Sequence, residues 1–331
     1  MTISFSQWVS ESISTLRSGD RSLPVRLLRP LYNLYVGVFL TSSHRYPYGT
    51  PIFEKEWDAL IVLDACRVDA LREVADEYEF LDEIDSIRSV GSTSFEWLNH
   101  TFSAEYFEEI QRTGYVTGNG YTERVFDDDG HTGNAAIPFG PSSYDTVASD
   151  DFGYLEELWR AEFENTSEWS VGSGDGCRVH PRYATDRVID VGRTTDVDRL
   201  IVHYMYPHDP FPLADGSLQK PFDALKSGSV PRDAVWEAYL DNLRFVLDEI
   251  EILLGNLNRD NVVITADHGE AFGEYGFYRH VIGCPIPCMR RVPWVETTSE
   301  DRGEYDPEAP GPETVSSTAS VEDRLEQLGY L

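Results

Sequence analysis

Three short runs of apolar residues stand out along the chain. They are Ala59-Leu-Ile-Val-Leu63 between Asp58 and Asp64, Arg199 to Met205, and Asn261 to Ala266. Runs this continuous suit strands buried on both faces, the pattern of a parallel sheet. Elsewhere the apolar period lengthens to that of a helix. Arg67 to Tyr78 aligns Val68, Leu71, Val74 and Ala75, and Trp236 to Leu254 aligns Tyr239, Leu243, Val246, Leu247, Ile250 and Leu254. Strands alternating with helices predict an α/β fold, a mostly parallel sheet with helices on both faces. Residues 1–50 read as a helical extension interrupted by Pro24, Pro30 and Pro47, and 51–297 as the main domain. Residues 298–318 read as an acidic, mobile linker with Pro307, Pro310 and Pro312, and 319–331 as a C-terminal helix. The Gly-, Ser- and Asp-rich stretches 127–152 and 166–178 read as loops placed to close over a site. There is no internal repeat.

The length of 331 residues admits one large α/β domain with additions, and 41% apolar residues suffice for its core. Charge changes the picture. Lys+Arg 27 against Asp+Glu 58 gives −31, with a pI near 4.4, and lysine occurs only at Lys55, Lys220 and Lys226. Such a surface repels nucleic acid and disfavours anionic membranes as general partners. It points to a halophilic protein, because molar salt screens self-repulsion over about 3 Å. Cysteines 66, 177, 284 and 288 make no disulfide framework in so long a chain, and Cys284-Pro-Ile-Pro-Cys288 lacks the second pair of a zinc site. They read as reduced thiols. Met1 to Asp20 is polar and lacks a secretory-signal pattern. Leu31 to Ser42 is apolar, but it is interrupted by Asn33 and is shorter than the ~20 residues of a spanning helix. The expectation is a cytoplasmic protein whose residues 27–43 dock on the core or touch a membrane peripherally.

Two of the three strand candidates end in acids: Asp64 after the first, and Asp267-His268-Gly-Glu270 after the third. Ligands of open α/β sheets bind beyond the carboxyl ends of strands. A buried strand needs no carboxylate and imidazole at its tip. Such donors suit a divalent cation, with Zn²⁺ or Mn²⁺ first and Ca²⁺ also admitted. His208-Asp209-Pro210 follows the strand that carries His203, and His280 lies twelve residues after His268, so the topology gathers them at one edge. Alone, Asp64 reads equally well as a helix cap, and a lone histidine as a hydrogen-bonded residue. Three hydroxyls, Ser92, Thr93 and Ser94, precede a helix expected over Phe95 to Phe102. The positive end of a helix stabilises a transferring phosphoryl or sulfuryl group, and a metal lowers a hydroxyl's pKa to make a nucleophile. The competing reading is an ordinary N-cap.

Three segments resemble the alkaline-phosphatase-like superfamily in its sulfatase-like branch. Leu63-Asp64-Ala-Cys-Arg67-Val-Asp69-Ala-Leu71 resembles the D-A-L-R-A-D-H-L run that opens many such domains. Asp267-His268-Gly-Glu270-Ala-Phe-Gly273-Glu274-Tyr-Gly276-Phe-Tyr-Arg-His280 is similar to the D-H-G-E-x-x-G-E-x-G-x-x-x-H stretch of phosphoethanolamine transferases. His203-Tyr-Met-Tyr-Pro207-His208-Asp209-Pro210-Phe211 resembles their P-H-x-P segment. The D-H-G-E stretch is specific; D-A-x-R alone is weak. The resemblance implies metal ligation by Asp64, Asp267, His268 and the nucleophile itself. Gly91-Ser-Thr93-Ser94 resembles the G-x-T-S run of lipoteichoic-acid synthases, whose threonine attacks, which ranks Thr93 first, Ser94 second and Ser92 third. His208 and His280 match substrate-contacting or second-metal histidines. Arg67 pairs either with Asp69 or with the substrate anion.

Departures from the family narrow the reading. The Pro-Ser-Arg part of the formylglycine-sulfatase motif is replaced at Phe95-Glu96, with no cysteine nearby. Ala65 stands where those sulfatases carry a second acid, and the lysine of their G-K-W region has no counterpart after Gly114-Tyr115. The expectation is therefore a metal-dependent sulfatase-like hydrolase or transferase, not a formylglycine sulfatase. Its substrate would be an anionic phosphate or sulfate ester on a glycan or lipid-linked polymer, attacked by a metal-bound Thr93 or Ser94 to give a covalent intermediate. The rival is a degenerate member that binds a glycan or phosphorylated polymer without turnover. A third reading is a two-metal phosphodiesterase or phosphomutase drawing on His203, His208, Asp209 and His280.

Overall fold

The computed structural model describes residues 5–17, 23–44, 46–127, 139–141, 143–161, 168–171, 178–214, 218 and 220–311. Its strands are β1 (Ala59–Leu63), β2 (Asp85–Arg88), β3 (Thr113–Thr117), β4 (Tyr154–Glu157), β5 (Ser170–Val171), β6 (Arg178–Val179), β7 (Arg199–Tyr204), β8 (Arg259–Thr265), β9 (Ala271–Phe272), β10 (Tyr278–Arg279) and β11 (Arg291–Ser299). Its helices are α1 (Phe5–Arg17), α2 (Leu23–Ser43), α3 (Val68–Val74), α4 (Ser94–Thr101), α5 (Phe107–Ile110), α6 (Tyr121–Phe126), α7 (Pro181–Thr194), α8 (Pro221–Ser227), α9 (Arg232–Leu254) and α10 (Pro287–Arg290). Seven strands form one sheet in the order β2-β11-β8-β1-β7-β3-β4. From β8 to β4 every pairing is parallel. β11 runs antiparallel to β8 and β2 at one margin. The expected α/β architecture is what the chain forms, with an added antiparallel margin.

β1 shows why the sheet is covered on both faces. Ala59, Ile61 and Leu63 join a core with α3, α7 and α9. Leu60 and Val62 join a second core with Phe95, Trp97 and Leu98 of α4 and Val125 and Phe126 of α6. All five strand residues are buried. Each such side chain contributes about 2 kcal/mol relative to exposure. On α9, Tyr239, Leu243, Val246, Leu247 and Ile250 face the first core as the period predicts, while Leu254 packs at its margin.

The N-terminal extension is helical, and α2 continues through Pro30 rather than stopping there. Val36 and Leu40 of α2 are buried, with Tyr32, Phe39 and Ile282 around them. No helix among the described residues is long and apolar enough to cross a membrane.

Beyond β11, which takes in Thr298 and Ser299, residues 300–311 carry no helix or strand. The acidic-linker expectation called this segment mobile; the structure holds it against α7. Tyr305 donates to Asp186 Oδ1 at 2.6 Å, and the amides of Glu308 and Ala309 donate to Asp186 Oδ2 at 2.8 and 3.0 Å. Arg193 pairs with Asp301 at 2.7 Å. The rest of that expected linker, 312–318, and the expected C-terminal helix, 319–331, lie outside the described residues. So do 128–138, 142, 166–167 and 172–177 of the two expected loops, with Cys177 among them.

Asp186→Ala should cost about 2 kcal/mol by leaving one hydroxyl and two amide donors without their acceptor. Hydrogen exchange is expected to speed up at 305–309 while β1, β7 and β8 stay protected. Unchanged exchange at 305–309 would show that Asp186 does not hold this segment.

Candidate active site and metal centre

Parallel pairing of β8, β1 and β7 sets their carboxyl ends side by side. Asp64 follows β1, Asp267-His268 follows β8, and the 205–210 turn follows β7. Two backbone features let these ends meet. Ala65 has φ 61°, a left-handed conformation costing about 1 kcal/mol for a residue with a Cβ. It turns the Ala65 amide toward Asp267 Oδ1 at 3.1 Å, while its carbonyl accepts from Tyr239 Oη at 2.7 Å. Gly269 has no Cβ because one would lie 2.1 Å from the Cys288 carbonyl oxygen. The His208 amide donates to the Asp64 carbonyl at 3.2 Å, and Asn242 of α9 donates to the carbonyls of Pro207 and His208 at 3.2 and 3.3 Å.

Asp64, Asp267 and His268 are fully buried. One ligand atom from each lies within 4.8 Å of the others. His268 Nε2 is 3.6 Å from Asp64 Oδ1 and 3.4 Å from Asp267 Oδ2. Asp267 Oδ1 also accepts the His268 amide at 2.8 Å. Burial pushes the Asp267 carboxyl up, but His268 and His203 with the hydrogen bonds outweigh it and leave it below its ordinary value. Burial drives the His268 imidazole down toward its neutral form against the pull of Asp267, and takes His203 down to about 4. Among the described residues Asp267 has no lysine or arginine partner; its ion-pair partners are His203 and His268. Buried carboxylates beside imidazoles that burial neutralises need a positive charge. The donor set therefore fits a divalent cation.

The hydroxyl cluster lies at the start of α4, and its members face different ways. Ser94 is fully buried, and its Oγ donates to Asp267 Oδ2 at 2.7 Å and lies 3.3 Å from His268 Nε2. Thr93 is the half-buried N-cap, its Oγ1 accepting from the Glu96 amide at 3.2 Å. Ser92 turns the other way, donating to Glu96 Oε2 and to the Val281 carbonyl, both at 2.9 Å. Of the three candidates, Ser94 is the one whose oxygen touches both Asp267 and His268 in the structure.

Glu96, one turn into α4, is buried beside Arg290, with 2.5 Å between Oε1 and Nη2. Its other oxygen accepts the amides of Ser92 and Gly283 at 3.0 and 3.2 Å. Arg290 also donates to the carbonyls of Cys284 and Val90 at 2.8 and 2.9 Å. Burial pushes the Glu96 carboxyl up, but Arg290, His100 and the Ser92 amide leave it below its ordinary range. Gly91 completes the approach, since a Cβ there would lie 2.4 Å from the Trp97 amide nitrogen.

A second group adjoins the first. Ligand atoms of His208, Glu270 and His280 also lie within 4.8 Å of one another. His280 stacks obliquely on both neighbours, its ring centre 4.4 Å from that of His268 and 5.1 Å from that of His208. Glu270 Oε2 is 3.3 Å from His280 Nδ1, and burial raises the Glu270 carboxyl to about 8. Burial lowers His280 to about 4. Arg279 pairs with Asp209 at 2.8 Å on the rim. Asp209 and His203 stay outside both groups; His203 lies behind Asp267, with Nδ1 3.0 Å from Tyr115 Oη. Arg67 is engaged by the protein: it bonds Asp69 at 2.6 Å, Glu274 at 2.7 Å and the Glu270 carbonyl at 3.0 Å. The expected pairing with Asp69 is present.

Sequence reasoning quoted Glu270 within its motif but gave it no role, and it passed over Arg279, Glu96 and Arg290. Glu270 could have been found from its i+2 position after His268. Nothing in the spacing of Glu96 and Arg290 announces their pairing. Cys66, Cys284 and Cys288 are free thiols, and no metal-ligand group among the described residues includes a cysteine.

No protein-family profile matches the chain, and no curated protein does either. Solved structures similar to it include the C-terminal periplasmic domain of phosphoethanolamine transferase EptC from Campylobacter jejuni. That alignment has 14% identity, covers 72% of this chain and 78% of that one, and has a TM-score of 0.41. The soluble domain of lipooligosaccharide phosphoethanolamine transferase A from Neisseria meningitidis aligns at 16% identity over 71% of this chain and 75% of its own, TM-score 0.41. A 2-O GAG sulfatase aligns at 12% identity over 83% and 71%, TM-score 0.45.

Glu96→Gln should lower stability at neutral pH by about 3 kcal/mol, since the buried Arg290 loses its counter-charge. A carboxyl held below its ordinary value stabilises the fold above that ordinary value, and the effect fades as pH falls through the lower native one. Urea unfolding of wild type and variant should therefore differ at pH 7 and converge in acid. Curves already equal at pH 7 would remove the pair from the fold's supports.

Proposed function

We propose that the protein is a metal-dependent hydrolase or transferase acting on a phosphate or sulfate ester, with Ser94 as nucleophile. The observation that carries this reading is the placement of Ser94 Oγ against both Asp267 and His268, at 2.7 and 3.3 Å, on the N-terminal turn of α4. Asp64, Asp267 and His268 would hold the cation. A divalent cation there would supply the positive charge that lowers a hydroxyl's pKa and draws electron density from an ester oxygen.

The chain's own groups account for the remaining steps. Ser94 Oγ attacks phosphorus or sulfur, its proton leaving along the hydrogen bond to Asp267, as the bond to the leaving oxygen breaks. Ser94 stands at the positive end of α4, whose dipole favours the developing negative charge. His208 and His280 line the adjoining group and are placed to hold the non-bridging oxygens, and His208, when protonated, can donate a proton to the leaving oxygen. Water or an acceptor hydroxyl then attacks the phosphorus or sulfur of the Ser94 ester and gives up its proton to His208, as the bond to Ser94 Oγ breaks and Ser94 regains its proton along the hydrogen bond from Asp267. Hydrolysis and transfer share this scheme and differ in the attacking oxygen.

The His208–Glu270–His280 group favours a second reading, a two-cation site. Protein treated with Zn²⁺ or Mn²⁺ and desalted should retain about one divalent ion per chain on the first reading and two on the second. Asp267→Asn with His268→Ala should abolish the first-site ion. Protein that takes up no ion would favour a binding protein without turnover.

The nucleophile is tested on a panel of aryl phosphate and sulfate esters. Ser94→Ala should lower kcat by about a thousandfold or more. Thr93→Ala should cost about 1 kcal/mol of stability as a lost cap while kcat stays within about tenfold. The reverse pattern would assign the attack to Thr93.

A further inference from the structure

The outward side of α2 is apolar in a regular stripe. Leu28, Leu31, Tyr35 and Val38 are 61, 61, 38 and 56% exposed. Their spacing keeps them on one side of the helix. On α1, Ile13 and Leu16 are also exposed, at 42 and 41%. The adjoining side of α2 is fixed to the protein: Val36 and Leu40 are buried, Tyr32 donates to the Ile282 carbonyl at 3.2 Å, and the Arg290 guanidinium lies 5.0 Å from the Phe39 ring. The exposed stripe is thus not available to the core.

Charge decides what covers it. All 58 acidic residues of the chain fall outside residues 21–53, a segment that carries Arg21, Arg26, Arg29 and Arg45. The acidity that turns the protein away from anionic surfaces in general stops at this helix. An apolar stripe on an acid-free, arginine-bearing helix suits the boundary between acyl chains and anionic headgroups. Tyr35 and the 79% exposed Tyr46 add aromatic rings of the kind found at that depth. The helix is 21 residues long, about 30 Å, and does not meet the criteria of a spanning segment, so it would lie in the plane of the surface.

We propose that the outer face of α2 is a docking surface for an anionic lipid bilayer. This contact stands apart from the proposed chemistry and is tested without an activity assay. Full-length wild type and a Leu28→Asp, Leu31→Asp, Val38→Asp variant are floated with vesicles of phosphatidylcholine and phosphatidylglycerol. The three side chains are exposed, so the variant should keep the wild-type circular dichroism and melting temperature. Wild type should rise with the vesicles and the variant should remain in the bottom fraction. Should the triple variant fail to fold, Val38→Asp alone is expected to weaken partitioning about tenfold. Wild type that stays with the unbound protein, or a folded variant that floats as wild type does, overturns the proposal. A concentration-dependent dimer lost in the variant, without flotation of wild type, also overturns it and assigns the face to a second copy.

Discussion

One buried ion pair holds together the parts that matter. Glu96 sits on the first turn of α4, and Arg290 sits where α10 meets β11. Through them the Ser92 and Gly283 amides and the Val90 and Cys284 carbonyls share one hydrogen-bonded centre. The hydroxyl turn before α4 and the segment after His280 are thereby fixed to each other. Arg290 also reaches the ring of Phe39, so α2 rests on the same centre. Such a pair is not in itself strongly stabilising, because both charges lose their hydration. Its worth lies in geometry: neither partner can move without leaving a buried charge exposed to nothing.

The backbone around the carboxylates carries a related constraint. Parallel strands deliver Asp64 and Asp267 to one edge, but strands alone would leave their side chains on separate courses. The left-handed Ala65 and the missing Cβ of Gly269 bend the two exits together. The cost of the first and the exclusivity of the second are what a dense anionic centre requires, since like charges do not converge without being held.

Much of this was legible in the sequence, for reasons that can be stated. β1, β7 and β8 are central strands covered on both faces, so their apolar runs are unbroken and unmistakable. Acids at two of their ends then marked the candidate site, and the fold brings those acids together. β11 was missed because it is an antiparallel strand with Pro293 and Glu296 inside it, which breaks the apolar run. The 300–311 segment looked free because its anchor, Asp186, lies more than a hundred residues earlier, on a helix whose buried face includes polar residues. The choice among Ser92, Thr93 and Ser94 is likewise invisible in one dimension. Three adjacent hydroxyls at a helix start point to three different partners, and those partners are brought together only by the fold.

The sheet also sorts the two ends of the described chain. The 301–311 segment lies on α7, which packs on the core holding Ile61 and Leu63. α2 rests beside the core holding Leu60 and Val62, through Ile282. Alternate residues of a single strand thus look toward opposite ends of the polypeptide. A label at Ala309 and one at Val38 would sit on opposite sides of the sheet, so whatever approaches one is screened from the other by the molecule itself.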